Sequence, residues 1–188
     1  HTYQPNRYLD PIDTTILQID RTFTSNAPTD IDIATLKVDY ERPFLKGKLG
    51  FGGKGTFVRT NNIYDFYNLI GGIEEIDSFR TNTFAYTENV NAAYINYQTK
   101  IKKFAFQAGL RAEQTNSIGE LTALIPTNDN TVERHYLNLF PSGGVTYDLN
   151  QKNTLSLTYS RRIDRPQYQN LNPFEFKLDE LSYMKGNP

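Results

Sequence analysis

The chain has 188 residues, a length that fits one domain or part of a larger one. Its formal charge is −1, from 20 basic and 21 acidic residues, so no overall electrostatic field favours nucleic acid or an anionic membrane surface as a partner. The absence of cysteine excludes a disulfide framework and a thiolate site, and the wide sequence separation of His1 and His135 weakens any histidine-based metal or catalytic site.

Period-2 alternation of apolar and polar residues recurs along the chain and predicts about seven strands. No apolar run approaches the roughly 18 to 20 residues that a membrane helix needs. The mean hydropathy of −0.59 is typical of soluble proteins, but barrel strands that alternate lipid-facing and lumen-facing residues also average to low values. In chain order the predicted strands are residues 15–24 (the weakest), 34–41, 49–57, 93–98, 103–113, 137–147 and 155–159.

The alternation is clearest at residues 103–113, KFAFQAGLRAE. Phe104, Phe106, Ala108, Leu110 and Ala112 fall on one face there, and Lys103, Gln107, Arg111 and Glu113 fall on the other. The predicted polar faces of several strands are strongly charged, as suits a water-filled lumen. The charged residues in question are Lys37, Asp39, Glu41, Lys54, Arg111 and Glu113.

Connections of two lengths alternate along the chain. Short ones are predicted at 43–47, 100–102 and 150–152, and long polar ones at 25–32, 61–83 and 116–134. Successive turns of a meander lie at opposite ends of the sheet, so one end is expected to carry tight turns and the other long loops. Outer-membrane barrels have this asymmetry, although a soluble sandwich or lipocalin-like barrel also fits the alternation.

Aromatic residues near the predicted strand ends favour the membrane alternative, because aromatic girdles lie at both membrane interfaces. They are Tyr40, Phe44, Phe104, Tyr136, Phe140 and Tyr147. We therefore expect an all-β, antiparallel, up-and-down meander that forms part of a larger transmembrane β-barrel.

The last predicted strand leads into the segment 157–176, LTYSRRIDRPQYQNLNPFEF. Pro166 has no N–H to donate, so the strand is predicted to break at Arg165-Pro166. Strand parity places Arg161 on the apolar face, near the outer interface, and Arg162 on the polar face. Arg162 and Arg165 are expected to pair with carboxylates or to face an anionic substrate, while Tyr168 and Phe174 are candidates for stacking on a ligand or for packing within the loop.

Several stretches resemble the outer membrane protein beta-barrel family of TonB-dependent receptors. The less specific ones are LKVDYERP (36–43), TFAYTENVNAAYINY (83–97), FAFQAGLRAEQT (104–115) and YLNLFPSGGVTYDL (136–149). The most specific marker is the end of the chain, formed by Arg161, Arg162, Arg165, Pro166, Leu171, Asn172, Pro173, Phe174, Gly186, Asn187 and Pro188. The resemblance is weaker before Leu36.

The resemblance implies a barrel of about 22 strands around a plug domain, with nutrient import driven through TonB. It implies that residues 1–188 are a partial barrel domain of an outer-membrane protein from a Gram-negative-type cell, without plug or signal peptide. The implied partners are outer-membrane lipid, the remaining barrel strands, the plug, and TonB through the plug. An isolated piece is expected to cover its open sheet edges by folding on itself or by self-association.

Other candidate sites have simpler explanations. Glu74, Glu75 and Asp77 could hold a cation with Asp65, but a solvated loop is the strongly favoured explanation. The glycines at 50, 52, 53 and 55 lie in a strand pattern with no following helix, which indicates strand curvature or close backbone approach. We expect no enzyme, no catalytic residues, no metal, no cofactor and no nucleic acid. The alternative function is a soluble β-sheet module that binds carbohydrate or another ligand.

Overall fold

The computed structural model describes residues 2–9, 12, 17–125, 130–165, 175–177 and 182–186. All regular structure in these residues is β-strand, as the sequence predicts. No helix in this part of the chain is long and apolar enough to cross a membrane. The strands are β1 (Thr2–Leu9), β2 (Leu17–Asn26), β3 (Thr29–Phe44), β4 (Gly47–Ile70), β5 (Ile73–Ile76), β6 (Asn82–Ile101), β7 (Phe104–Ala123), β8 (Thr131–Asp148), β9 (Thr154–Ser160), β10 (Glu175–Lys177) and β11 (Tyr183–Lys185).

Nine strands form one antiparallel sheet in the order β1-β2-β4-β6-β7-β8-β9, with β3 and β5 also paired to β4. The sheet is therefore a meander with seven lateral positions. This number equals that of the predicted strands only because the predicted strands 15–24 and 34–41 share one position and the unpredicted β1 adds another. β10 and β11 form a separate two-stranded sheet. Within the described residues β1 and β9 each pair with a single strand, so the large sheet is open at both edges.

β2 and β3 occupy the same edge of β4 and form one long strand with a break at Ala27-Pro28. Asn26 pairs with Asp65 before the break, and Thr29 pairs with Asn62 after it, so both strands advance by the same number of residues. The carbonyl of Pro28 also accepts a hydrogen bond from the Ile63 amide at 3.1 Å. The predicted link at 25–32 is therefore wrong, because the chain does not reverse there. The additional strand at that edge is β1, which the alternation did not predict.

The predicted short connections are confirmed, and they lie at one end of the sheet, here called the turn end. β3 and β4 are joined through Leu45 and Lys46, and β6 and β7 through Lys102 and Lys103. Leu45 and Lys102 have φ values of 52° and 54°, the left-handed conformation that two-residue hairpin turns require. The third connection, between β8 and β9, spans residues 149–153.

The other end, here called the distal end, differs from the prediction of long loops. Residues 61–83 contain the end of β4, a reversal at Gly71-Gly72, all of β5 and the start of β6. Residues 116–134 likewise contain the end of β7 and the start of β8. Polar composition indicated loops, but these strands have polar residues on both faces and are held by ladder hydrogen bonds. The predicted strands therefore end where the apolar face ends, although the observed strands continue beyond it.

The strands are much longer than a membrane requires. β6 and β7 have 20 residues each, and β4 has 24. At about 3.3 Å per residue, 20 residues extend about 66 Å. That length exceeds the hydrocarbon core of about 30 Å even at a tilt of about 45°. The distal half of the sheet thus lies beyond any bilayer that its turn-end half crosses.

One face of the turn-end half is predominantly apolar, as predicted from strand parity, with Arg42 and Thr99 as polar residues close to the turns. The side chains of neighbouring strands are in register: Ile95 pairs with Leu110, and Phe106 pairs with Val145. This apolar band is also exposed, with 76% exposure at Leu157 and 74% at Leu36. Its larger members are Leu36, Val38, Tyr40, Leu49, Phe51, Phe57, Ile95, Tyr97, Phe104, Phe106, Leu110, Leu137, Leu139, Val145, Tyr147, Leu155, Leu157 and Tyr159.

The opposite face, here called the charged face, carries the polar residues of the same strands. Beyond the apolar band it becomes buried and forms the core of the described structure. Phe66 there is 0% exposed and stacks on Phe23 with ring centroids 4.9 Å apart. Thr60 and Thr115 are 1% and 0% exposed. Burial is therefore concentrated in the distal half, not at the level of the apolar band.

Candidate functional site

A tyrosine on the charged face links two strands that do not pair with each other. Asp39 in β3 is opposite Gly52 in β4, and Gly52 is opposite Tyr94 in β6. The Tyr94 hydroxyl donates a hydrogen bond to Asp39 across Gly52. A Cβ at position 52 would lie 2.6 Å from the Val38 carbonyl oxygen and 2.7 Å from the Tyr94 hydroxyl. The predicted close approach is therefore confirmed at Gly52, because only a hydrogen fits beneath the phenol.

Cations flank the ring of Tyr94. Lys37 Nζ lies 2.8 Å from Asp39 Oδ2 and 6.0 Å from the centroid of the Tyr94 ring. The guanidinium carbon of Arg111, opposite Tyr94 on β7, lies 5.2 Å from the same centroid. Cations at these distances are attracted to the negative face of an aromatic ring. These side chains form a row across the charged face. The Lys37–Asp39 ion pair and the contacts of the two cations with the Tyr94 ring stabilise it.

Arg165 joins this row from the segment that follows β9. Its Nη2 donates to Glu113 Oε2 at 2.6 Å and to Thr115 Oγ1 at 3.2 Å. Glu113 also accepts a hydrogen bond from Arg111, so a carboxylate that is 8% exposed is compensated by two guanidinium groups. Because β8 lies between β9 and β7, the chain at Arg165 crosses the charged face of β8. We call Lys37, Asp39, Tyr94, Arg111, Glu113 and Arg165 the charged-face network.

A cavity of about 290 Å³ lies next to this network, immediately beyond the apolar band. We call it the distal cavity. Ile31, Ile33 and Val58 form an apolar wall, and Tyr86 and Tyr136 supply two phenols. Burial raises the pKa of the Tyr86 phenol above its ordinary value, so this group is a neutral hydrogen-bonding partner at physiological pH.

Three charged side chains also line the distal cavity. They are Glu88, Arg134 and Arg165. Arg165 Nε lies 3.9 Å from Glu88 Oε1, an ion pair without a hydrogen bond. Glu88 and Arg134 are in the same lateral row, since both pair with Ser117 of β7 from opposite sides. The cavity therefore combines an apolar wall with two cations and one anion.

The structure separates the arginines that the sequence singles out. Arg165 adopts the ion-paired role, while Arg162 lines a different cavity of about 490 Å³ with Gln107, Ser142 and Thr158 among its walls. The guanidinium of Arg161 donates to the Leu139 carbonyl at 3.0 Å and lies 6.0 Å from the Phe140 ring, so it is held against β8. β9 ends at Ser160, five residues before the predicted break at Arg165.

Tyr168 and Phe174, the candidate stacking residues, lie outside the described residues, as do Pro166, Leu171, Asn172, Pro173, Asn187 and Pro188 of the marker motif. Gly186 lies within them, next to β11. The proposed substrate contacts of Arg162, Arg165, Tyr168 and Phe174 remain predictions.

Sequence reasoning missed Glu88, Tyr94 and Arg134. Glu88 and Arg134 lie outside the predicted strands, while Tyr94 lies within the predicted strand 93–98 but had no role assigned to it. The sequence contained part of the signal for Tyr94. The glycines at 50 and 52 leave space on the charged face of β4, and a large side chain from a neighbouring strand can extend across that space. Finding the partner required the register, which places Tyr94 and not another aromatic residue opposite Gly52.

The carboxylates considered as a cation site do not converge. Glu74 accepts a hydrogen bond from Thr24 at 2.7 Å. Asp77 pairs with Arg80 at 2.6 Å, accepts from Asn68 at 3.2 Å and from the Phe79 amide at 3.0 Å, and so organises the bend between β5 and β6. The described residues contain no group of three or more histidines, cysteines, aspartates or glutamates that could hold a metal ion.

Comparison with known proteins gives one match. The sequence model of the outer membrane protein beta-barrel family matches residues 2–188. No curated protein and no solved structure matches the chain. The match covers the large sheet, the charged-face network and the distal cavity.

Proposed function

The chain belongs to the outer membrane protein beta-barrel family, and from that premise we propose that it is part of the wall of a TonB-dependent receptor. The receptor would import a nutrient, such as a siderophore, a glycan or a peptide, across the outer membrane of a Gram-negative-type cell. The outer-membrane location follows from the family itself. Energy-dependent import is the proposed step.

The observation that carries the proposal is the division between the two faces at one height of the sheet. Leu110 and Ala112 lie on the exposed apolar side of β7, while Arg111 and Glu113 lie on the charged face of the same strand. A wall between lipid and an aqueous lumen needs this arrangement, and charged side chains on the lipid side would cost about 2 to 4 kcal/mol each at the bilayer midplane for lysine or arginine.

The open edges support a place within a larger barrel. Seven lateral positions cover about a third of a circumference of about 22 strands. Within the described residues, β3 and β9 each pair with one strand at the level of the apolar band, and their unpaired ladder groups need partners in the membrane, where no water is present to satisfy them. We propose that further strands of the parent barrel pair with these edges, that a plug domain occupies the lumen, and that TonB acts through the plug.

The proposed role is transport and not catalysis. The ionisable groups of the charged-face network neutralise one another: Glu113 with Arg111 and Arg165, and Asp39 with Lys37. Groups held in such pairs are suited to stabilising a lumen wall.

The coding sequence that flanks this chain provides the first test. We expect a plug-like domain upstream and further alternating strands downstream. A signal peptide directly before His1 together with a stop codon directly after Pro188 would contradict the proposal.

The second test is energy dependence: deletion of TonB from the host should abolish import by the full-length protein without removing it from the outer-membrane fraction. Import that continues at the same rate without TonB would also contradict it.

A further inference from the structure

Two buried polar atoms of residues that line the distal cavity have no hydrogen-bond partner among the described residues. Thr60 is 1% exposed, yet its hydroxyl makes no hydrogen bond, and the Nε of Arg165 is also buried without one. Both residues line the cavity. A buried donor without a partner costs about 1 to 3 kcal/mol, so native structures retain very few of them, and each needs an explanation.

Arg134, an exposed residue, adds to the same cavity a positive charge without a partner in the described part of the chain. Its guanidinium makes no hydrogen bond or ion pair with the described residues, whereas that of Arg165 is engaged by Glu113 and Glu88. The cavity thus has two guanidinium groups against the single carboxylate of Glu88 in its lining. This excess of positive charge favours an anion over a cation as the ligand of the cavity.

The apolar wall of the cavity favours a ligand that carries an apolar group. Ile31 and Ile33 are 49% and 66% exposed on the charged face, where water would otherwise contact them. Val58 adjoins them across the β3–β4 ladder, since Ile33 pairs with Val58. The volume of about 290 Å³ is close to the lower limit of about 300 Å³ for small-molecule sites, so the ligand, or the bound part of it, is small.

We propose that the distal cavity binds a small anion with an apolar group, in which a carboxylate or phosphate pairs with Arg134 and the apolar part packs against Ile31, Ile33 and Val58. Arg165 Nε–H and the Thr60 hydroxyl supply the remaining hydrogen bonds. The inference rests on the proposed function only for what happens next, namely passage of the bound anion through the barrel. Binding itself requires neither TonB nor transport.

The test is isothermal titration calorimetry on the full-length protein in lipid nanodiscs, with three probes of similar shape. Phenylacetate and phenyl phosphate carry the two candidate anionic groups, and phenylacetamide is the neutral control. We expect at least one anion to bind about tenfold or more tightly than phenylacetamide, since a hydrogen bond to a charged group adds this much. The preferred anion identifies the headgroup. Equal binding of all three probes, or no binding of any, overturns the proposal.

Matched variants locate the site. Arg134→Gln should weaken binding of the preferred anion about tenfold or more, while Arg59→Gln, which removes an exposed arginine from the opposite face next to Val58, should leave it unchanged. Thr60→Val should weaken binding and yet keep or raise the stability of the unliganded protein, because it removes a buried hydroxyl without a partner. If R134Q binds the anion as tightly as R59Q, the proposal is wrong.

The two proposals fail separately. Loss of binding in R134Q with import that does not depend on TonB would retain the anion site and reject the receptor. TonB-dependent import with identical anion binding by R134Q and R59Q would retain the receptor and reject the site.

Discussion

Tyr94 and Asp39 meet through their side chains although their strands, β6 and β3, are not neighbours in the sheet. Gly52 of the intervening strand makes the contact possible. The hydrogen bond therefore connects three strands at one level of the charged face, and the flanking Lys37 and Arg111 place a cation within 6.0 Å and 5.2 Å of the ring centroid.

This relationship predicts that alanine is tolerated at one of two neighbouring glycines and not at the other. Gly52→Ala should destabilise the protein by about 1 to 3 kcal/mol, because the new methyl group overlaps the Val38 carbonyl and the Tyr94 hydroxyl. Gly53→Ala is the matched control, since its Cβ would lie 3.6 Å from the Ala92 carbonyl, an ordinary contact. Its stability should change by less than about 1 kcal/mol. Urea unfolding in lipid vesicles, followed by heat-modifiable gel mobility, measures both. Equal stability of G52A and G53A would contradict this account.

Arg165 and Glu113 should show a measurable coupling energy. Glu113→Gln and Arg165→Gln each break the contact, and the double variant should be less destabilised than the sum of the two by about 1 to 2 kcal/mol. This value lies between those of exposed and buried ion pairs, as the 32% and 11% side-chain exposures of the partners require. The same unfolding assay measures the cycle. Additive single effects would show that the pair does not hold the segment in place.

A cation placed on the apolar band should be costly, while one on the charged face should not. Val145→Arg places a charge on the apolar band and should destabilise the protein in bilayers by about 2 kcal/mol or more. Thr146→Arg, one residue further along β8, places the same charge on the opposite face, where the cost should be below about 1 kcal/mol. Refolding into vesicles at a series of urea concentrations compares them. If T146R is the more damaging variant, the two faces have been assigned incorrectly.

The bend between β5 and β6 should depend on Asp77. Asp77→Ala removes the acceptor of Arg80, Asn68 and the Phe79 amide at once, so the bend should open locally. Hydrogen exchange of the Arg80 and Thr81 amides should accelerate by about tenfold or more, since loss of each such bond removes about 1 kcal/mol. Glu75→Ala, an exposed carboxylate nearby, is the control. Unchanged exchange in D77A would assign the bend to backbone geometry alone.

The alternation of side chains was sufficient to predict the turn-end half of the sheet. Phe104, Phe106 and Leu110 share a face because a strand repeats every second residue, and the bilayer selects for the same repeat. The distal half gives no such signal. Asn89, Asn116 and His135 face the same side as the apolar band but lie beyond it, where selection for apolar side chains ends. Their strands are fixed by backbone pairing, which composition does not reveal.

The candidate site was less predictable than the fold, because it depends on contacts between distant residues. The charge of Arg165 could be recognised in the sequence, but its pairing with Glu113 and Glu88 depends on a chain path across β8 that no local pattern encodes. Arg134 and Thr60 acquire significance only from the register that places them around one cavity. A sequence pattern assigns residues to faces, whereas a binding site also requires the lateral order of the strands.

The interruption at Ala27-Pro28 has a mechanical consequence. β4 passes the interruption without a break and is hydrogen-bonded to β2 on one side of it and to β3 on the other. Tension applied along the chain at the distal end would therefore load many hydrogen bonds of β4 in shear and would not act on the Pro28 segment alone. The Pro28 segment is itself tied to β4 by the Ile63 amide, and the force passes through β4 toward the turn end of the sheet.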